Sequence, residues 1–364
     1  MQDRKKKDRS RVRRVEDLCR NVVPAKALKA DAPLALKDKK GVEKKYGEFL
    51  AKVLGDPAAG TKLCHAMLLP LPGSAKKAAE YEKGGRLEMP GATIERRGKA
   101  SVVTISNRRY LNAEDDTTLE GLETAVDVAL LDTKSEVCVL RGGTVDHPKY
   151  AGRRLFGAGI NLTHLYQGKI PFLWYIRRDL GLVNKLYRGL AKPGVSPEVD
   201  SIEKLWIAAV EGFAIGGHCQ ILLTMDYIIA ARDAYMTLPA RKEGIIPGAA
   251  NLRLPRFVGP SLARQAILAE RRLDCDSPEG RMICDEIVPP AEMDSAIDTM
   301  VERLTGSGVV SAAGNRRALR ISEEPLDEFR RYMAVYAREQ AQCHFSPALI
   351  ANLEKNWDAA NRRG

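Results

Sequence analysis

The stretch VEGFAIGGHCQILLTMDYIIAARDAYMTLPARKEGIIPG, Val210 to Gly248, restricts the fold more than any other part of the chain. It reads as the end of a strand (KLWIAAVEGF), a helix opened by Gly216-Gly217 (GGHCQILLTMD), and a further strand (YIIAARDAYMTL). Its strands are apolar at nearly every position and so require burial on both faces. Such strands alternate with helices in β/α folds, because helices must cover a sheet that is buried on both sides. The glycine pair lets a ligand approach the backbone closely, and amides at a helix N-terminus point outward as unpaired donors.

The rest of the chain divides around this segment. From about Val15 to Lys83 apolar residues recur three and four apart, as in RVEDLCRNVV and GVEKKYGEFLAKVLGD, which predicts amphipathic helices. The pattern changes at Pro90. ATIERRGKASVVTISN alternates around Arg97-Gly98 and predicts a β-hairpin. AEDDTTLEGLETAVDVALLD follows as a helix opened by acids, SEVCVLRGG as a buried strand, and PFLWYIRRDLGLVNKLYRGL as a second amphipathic helix. Beyond Ser261 the pattern is helical apart from CDEIVPP. We therefore expect a helical N-terminal domain over residues 1–89, an α/β core over 90–305 and a helical C-terminal region over 306–364.

Several function classes are disfavoured by composition. No window holds the ~18 uninterrupted apolar residues of a membrane span, and MQDRKKKDRSRVRR lacks the apolar run of a secretory signal. Seven scattered cysteines, none spaced as CxxC, predict reduced thiols in a cytoplasmic protein. Five dispersed histidines predict no protein-ligated metal. The net charge of +11 favours anionic partners. Its basic runs lack interleaved aromatics, so we expect a phosphorylated small molecule rather than nucleic acid. Those runs read as solvated helix faces.

Two loops carry the candidate chemistry: RRLFGAGINL, with Gly157-Ala158-Gly159-Ile160, and EGFAIGGHCQ, with Gly216-Gly217. Each alone reads as a tight turn. Together, and followed by PARKEGIIPGAANLRLPRFVG, they resemble the crotonase (enoyl-CoA hydratase/isomerase) superfamily. The resemblance runs from about Ala92 to Leu304 and includes NRRYLNAEDD, FGAGINL and VEGFAIGGHCQILLTMDYIIAA. It implies a ββα spiral core, a homotrimer or homohexamer, and an acyl-CoA substrate. It also implies that the amides of Ile160 and Gly217 form an oxyanion hole, with Ala158 in the same substrate-binding loop.

The departures from that pattern are informative. Hydratases of this superfamily have glutamates where this chain has Gln220 and Ala240. Hydration needs a carboxylate to activate water and an acid to protonate carbon, and a glutamine amide does neither. Glu243 stands three residues from the second position and is expected to face elsewhere. With IRRDLGLVNKLYRGL and LPARKEGIIPGAANLRLPRFVG, these losses resemble a subfamily of cofactor-independent dioxygenases acting on (3,5-dihydroxyphenyl)acetyl-CoA. That resemblance implies that dioxygen and the thioester are both substrates, that 3,5-dihydroxyphenylglyoxylate and coenzyme A are products, and that neither metal nor flavin takes part. A thioesterase, hydratase or isomerase on this fold is the alternative, and a nucleic-acid-binding relative a remote one.

Within this reading Glu114 is expected to accept a hydrogen bond from a ring hydroxyl, though it also reads as a helix N-terminal acid. Arg178 is expected to counter phenolate or peroxide charge, with neighbouring Arg177 as the competing choice. Gln220 is expected to orient oxygen, and Arg108 and Arg109 to meet the coenzyme. His218, one residue past the hole, is expected to point away from substrate. The base that takes the α-proton is not identified by sequence.

Overall fold

The computed structural model describes residues 13–362. The basic run at residues 1–12 lies outside the described residues.

Seven strands make the main sheet: β1 (Arg86–Met89), β2 (Ala92–Arg97), β3 (Ala100–Ile105), β4 (Val137–Gly142), β7 (Leu205–Val210), β9 (Tyr227–Ala231) and β12 (Glu286–Val288), in that spatial order. Their run is antiparallel through β1, β2 and β3 and parallel from β3 onward. β8 (Phe213–Ile215), β10 (Tyr235–Thr237) and β11 (Leu273–Asp274) form a second sheet. β5 (Leu190–Ala191) and β6 (Ser201–Ile202) form a short ribbon. The hairpin turn lies at Gly98-Lys99, one residue later than expected, where Gly98 takes φ of 53° and Arg97 pairs with Ala100.

The expected strand KLWIAAVEGF is two strands in different sheets. The chain turns at Glu211-Gly212, where Gly212 takes φ of 68°, so β7 joins the main sheet and β8 the second. YIIAARDAYMTL divides in the same way at Arg232-Asp233-Ala234 into β9 and β10. Each pair is followed by a short helix, Gly217–Leu222 and Ala240–Glu243 respectively. This repeated strand–strand–helix unit is the spiral expected for the core, and it brings the ends of β8 and β10 side by side.

A second correction concerns PFLWYIRRDLGLVNKLYRGL. It is helical over Phe172–Arg177 and Asn184–Arg188, joined by a π-helical segment over Arg178–Val183. It is buried on almost every side rather than presenting a polar face to water. Its charged side chains turn instead to internal partners. Lys185 reaches Glu123 at 2.8 Å and Asp127 at 2.7 Å, both on helix Leu119–Leu131.

The helices before β1 pack onto this core. Helix Lys44–Gly55 lies against helix Leu326–His344, and a side chain at Gly47 would collide with Ala341. Arg14 joins the Glu123–Lys185 pair at 3.1 Å, and Asp127 accepts from the Leu71 amide at 2.6 Å and Ser74 Oγ at 2.8 Å. Glu43 accepts the Phe172 amide at 2.7 Å, at the start of the helix that carries Arg178. One continuous apolar cluster includes Val15, Leu50, Val139, Ile207, Phe329 and Leu353, so all three expected segments share a core. β1 lies before the expected boundary at residue 90 yet belongs to the main sheet.

Candidate active site

The two glycine loops meet. Gly157 donates to the Phe213 carbonyl at 3.1 Å and accepts from the Ile215 amide at 3.0 Å, which fastens the first loop to β8. Glu114 donates its amide to Gly159 O at 2.7 Å, and Asn161 donates to Glu114 O at 2.8 Å. These bonds leave Ile160 between two fixed neighbours. Gly159 takes φ of 79°, and a Cβ on it would lie 3.4 Å from the Gly217 nitrogen. Only glycine accommodates both that conformation and that approach. Among the described residues neither the Ile160 nor the Gly217 N–H donates to a protein acceptor. Two free amides on touching loops are the kind of donor that an oxyanion site uses.

His218 lies under the first loop. Its Nδ1 accepts the Gly159 amide at 3.0 Å, and a Cβ on Gly157 would strike its ring at 2.3 Å. Burial pushes its pKa down to about 4, with Glu114 raising and Arg178 lowering it. A neutral ring with Nδ1 as acceptor must carry its proton on Nε2. The ring lines neither cavity of the site; it supports the loop that presents Ile160.

Arg178 organises the inner wall. Its Nε and Nη2 meet Glu114 Oε1 and Oε2 at 2.9 and 2.8 Å, Nη1 donates to Gln220 Oε1 at 3.0 Å, and Nη2 to Gly217 O at 2.7 Å. Burial works most strongly against this cation, but Glu114 and Asp179 together hold the guanidinium above its ordinary pKa. The bond to Arg178 fixes the Gln220 amide orientation and leaves Nε2 as the donor available to the cavity. Arg177 instead pairs with Glu16 at 2.7 Å, near the surface. Glu114 sits in a bridge beside Ile160, ahead of helix Leu119–Leu131, so it is not a helix N-terminal acid.

Two neighbouring spaces, with Ile160 and Glu243 in the walls of both, flank the loops. An inner cavity of about 30 Å³ is lined by Glu114, Arg178, Gln220, Trp174, Tyr175 and Tyr336, among others. An outer cleft of about 640 Å³ includes Arg109, Ala158, Tyr235, Arg272, Trp357 and Arg362. Arg109 thus faces the cleft, whereas Arg108 pairs with Asp146 at 2.6 Å on an exposed turn and does not line it. Arg272, over the Tyr235 ring at 3.8 Å, adds a cation that the sequence reading did not single out.

Glu243 requires a correction. It was expected to face away, but it lines both spaces. Ala240–Glu243 is a single helical turn, and residues three apart on a helix share a face. Its carboxyl is buried, and burial, aided by Glu270 and opposed by Lys242, raises its pKa to about 7. The C-terminal region closes the same wall: Gln340 accepts the Ile246 amide at 2.8 Å, and Tyr332 donates to the Gly248 carbonyl.

One cluster that residue spacing did not reveal joins Asp115, Asp116 and His164, with potential ligand atoms within 4.8 Å of one another. Asp115 already accepts from Asn107, Thr117 and Asn161. Its oxygens tie the segment at Asn107 to Asn161, the residue after Ile160.

Comparison with known proteins agrees with this geometry. Residues 95–334 match the family profile for enoyl-CoA hydratase/isomerase. A (3,5-dihydroxyphenyl)acetyl-CoA 1,2-dioxygenase from Amycolatopsis orientalis is 45% identical over 348 residues, covering 93% of this chain and 79% of that protein. A short-chain-enoyl-CoA hydratase from Clostridium acetobutylicum is 27% identical over 235 residues, covering 64% of this chain and 82% of its own. Among solved structures, an enoyl-CoA hydratase from Mycobacterium avium subsp. paratuberculosis K-10 superposes with a TM-score of 0.60 at 20% identity, covering 73% of this chain and 98% of that one. The fold, the paired glycine loops and these matches together show that the chain belongs to the enoyl-CoA hydratase/isomerase family.

Proposed function

We propose that this protein is a dioxygenase that converts (3,5-dihydroxyphenyl)acetyl-CoA and dioxygen to 3,5-dihydroxyphenylglyoxylate and coenzyme A. The observation that carries this reading is the pairing of two free loop amides with an inner wall in which Gln220, held by Arg178, stands where a hydratase has its acid. The 45% identity to the Amycolatopsis orientalis enzyme supports the same reaction and substrate.

The chemistry follows from these residues. The carbon between a thioester and an aryl ring is acidic, because its anion spreads into both. The Ile160 and Gly217 amides hold the enolate oxygen; each such donor contributes about 10²–10³ in rate. An electron-rich enolate passes an electron to dioxygen without a metal or flavin, and the superoxide then joins the α-carbon radical to form a carbon-bound peroxide. The peroxide then attacks the thioester carbonyl, expels the coenzyme and collapses to the keto acid. Both oxygen atoms enter the product, and the two α-hydrogens leave as protons. Arg178 and the Gln220 amide supply positive potential where peroxide charge grows, and the buried aromatic wall keeps out water that would quench the enolate. Arg109, Arg272 and Arg362 give the outer cleft its affinity for coenzyme phosphates. Glu114 takes one bond from Arg178 on each oxygen and accepts a ring hydroxyl through a remaining lone pair.

No helix of the described residues is long and apolar enough to cross a membrane. The chain is proposed to assemble as a trimer or hexamer, as the family resemblance implies. A buried carboxylate at Glu243 keeps thioester hydrolysis as the competing reading. Incubation with the thioester in air and under nitrogen, with products identified by mass, separates the two: oxygenation gives the keto acid in air alone, hydrolysis gives the arylacetate in both.

A further inference from the structure

We propose that Glu243 is the base that removes the α-proton of the thioester substrate; this rests on the oxygenase reading above. The inference starts from the shape of the site. A coenzyme arm with its phosphates belongs in the open outer cleft, and the acyl group points towards the inner cavity, whose volume of about 30 Å³ has to widen to admit the ring. The thioester carbonyl and the adjoining α-carbon must then lie at the neck between the two spaces. Ile160 and Glu243 are the residues that line both. Ile160 offers a free amide for the carbonyl oxygen. Glu243 offers a carboxylate to the carbon next to it.

The other candidates at the site are either bonded to protein partners or absent from the wall of the outer cleft. Both oxygens of Glu114 face the Arg178 guanidinium. His218 accepts the Gly159 amide through Nδ1 and lines neither space. Asp179 lines the inner cavity but not the outer cleft, and its Oδ1 faces the Arg178 cation at 3.5 Å. Gln220 and Ala240, at the positions of the hydratase acids, cannot accept a proton. Burial also places the Glu243 carboxyl near neutrality, at about 7, which makes it a stronger base than a solvated carboxylate while leaving much of it ionised at neutral pH.

The step balances within the site. The α-carbon–hydrogen bond breaks, the proton passes to a Glu243 oxygen, and the electron pair moves through the new carbon–carbon double bond onto the thioester oxygen held by Ile160 and Gly217. When peroxide attack expels the coenzyme thiolate, Glu243 returns that proton to sulfur. It is then a carboxylate again when the second α-hydrogen leaves as the carbonyl forms and the oxygen–oxygen bond breaks.

The test follows α-hydrogen exchange in deuterium oxide under nitrogen, where oxygenation cannot compete. Wild-type protein, Glu243→Gln and Glu243→Asp are each incubated with (3,5-dihydroxyphenyl)acetyl-CoA, and deuterium uptake is read by mass. Binding of a thioether analogue that cannot form an enolate reports an intact site. We expect Glu243→Gln to bind the analogue and to lose exchange and oxygenation together by about 10²-fold or more. Glu243→Asp, which keeps the charge but withdraws it by one methylene, should exchange at an intermediate rate. Exchange within about threefold of wild type in both variants overturns the assignment even if the wild-type protein oxygenates normally. Failure of the wild-type protein to consume oxygen would instead remove the oxygenase reading and leave the exchange result to stand on its own.

Discussion

Arg178 and Glu114 form a two-point ion pair inside the protein, each side chain 3% exposed, with the guanidinium also holding Gln220 and the Gly217 carbonyl. Removing one partner leaves the other charge buried without a counterion, which costs about 3–5 kcal/mol. Glu114→Ala should lower unfolding free energy by that amount in urea titration and abolish turnover. Replacing both, as Glu114→Leu with Arg178→Met, should cost less stability than either single change yet stay inactive. A single substitution that shifts stability by under ~1 kcal/mol would show that water reaches the pair.

Gln220→Glu should damage oxygenation while leaving binding of a non-reactive analogue nearly unchanged. The new carboxylate keeps the Arg178 contact but adds negative charge to a wall that already holds Glu114 and Asp179. That charge raises the energy of an enolate or peroxide, and it introduces a proton donor. Turnover should fall by about 10²-fold or more, with α-hydrogen exchange persisting. Oxygen consumption at the wild-type rate would mean that Gln220 does not face the reacting centre.

His218 gives a pH signature. Its folded pKa of about 4 lies below the ordinary value near 6.5, so the unfolded chain binds the proton more readily. The stability it contributes is therefore fully present above about pH 6.5 and is lost as pH falls towards 4. His218→Asn should flatten that part of the stability curve and remove an acid-sensitive contribution of a few kcal/mol. It should also reduce turnover through the Gly159–Ile160 loop. An unchanged slope between pH 4 and 6.5 in thermal unfolding would place the acid sensitivity elsewhere.

These residues also mark how much of the site the sequence makes legible. The glycine loops are legible because backbone geometry leaves few alternatives at Gly159 and Gly217. Arg178 and Arg177 are adjacent, and only the turn of the helix decides that one faces Glu114 and the other Glu16. Glu243 was misread because its displacement was counted along the chain, whereas a helical turn returns it to the face of Ala240. The strand breaks at Gly212 and Asp233 were hidden inside continuous apolar runs. Contacts such as Glu43 with Phe172 join distant segments and leave no local pattern.

Those distant contacts make the N-terminal helices structural. A chain beginning at Leu87 would lose Arg14, Leu71 and Ser74, leaving Lys185 among carboxylates with fewer partners. It would also uncover Phe329, Met333 and Ala337, which are fully buried. Exposed apolar surface of that kind drives aggregation. We expect this shortened chain to be insoluble or inactive; full solubility with wild-type turnover would show that the helices are dispensable.

Oxygen stoichiometry tests the central claim most directly. Protein treated with a strong chelator is mixed with (3,5-dihydroxyphenyl)acetyl-CoA, and oxygen uptake and free coenzyme are followed together, in air and under nitrogen. The account predicts one dioxygen consumed per coenzyme released, both atoms of labelled dioxygen in the keto acid, and no release under nitrogen. Release that continues without oxygen, or activity that returns only when one particular metal is added, would contradict it.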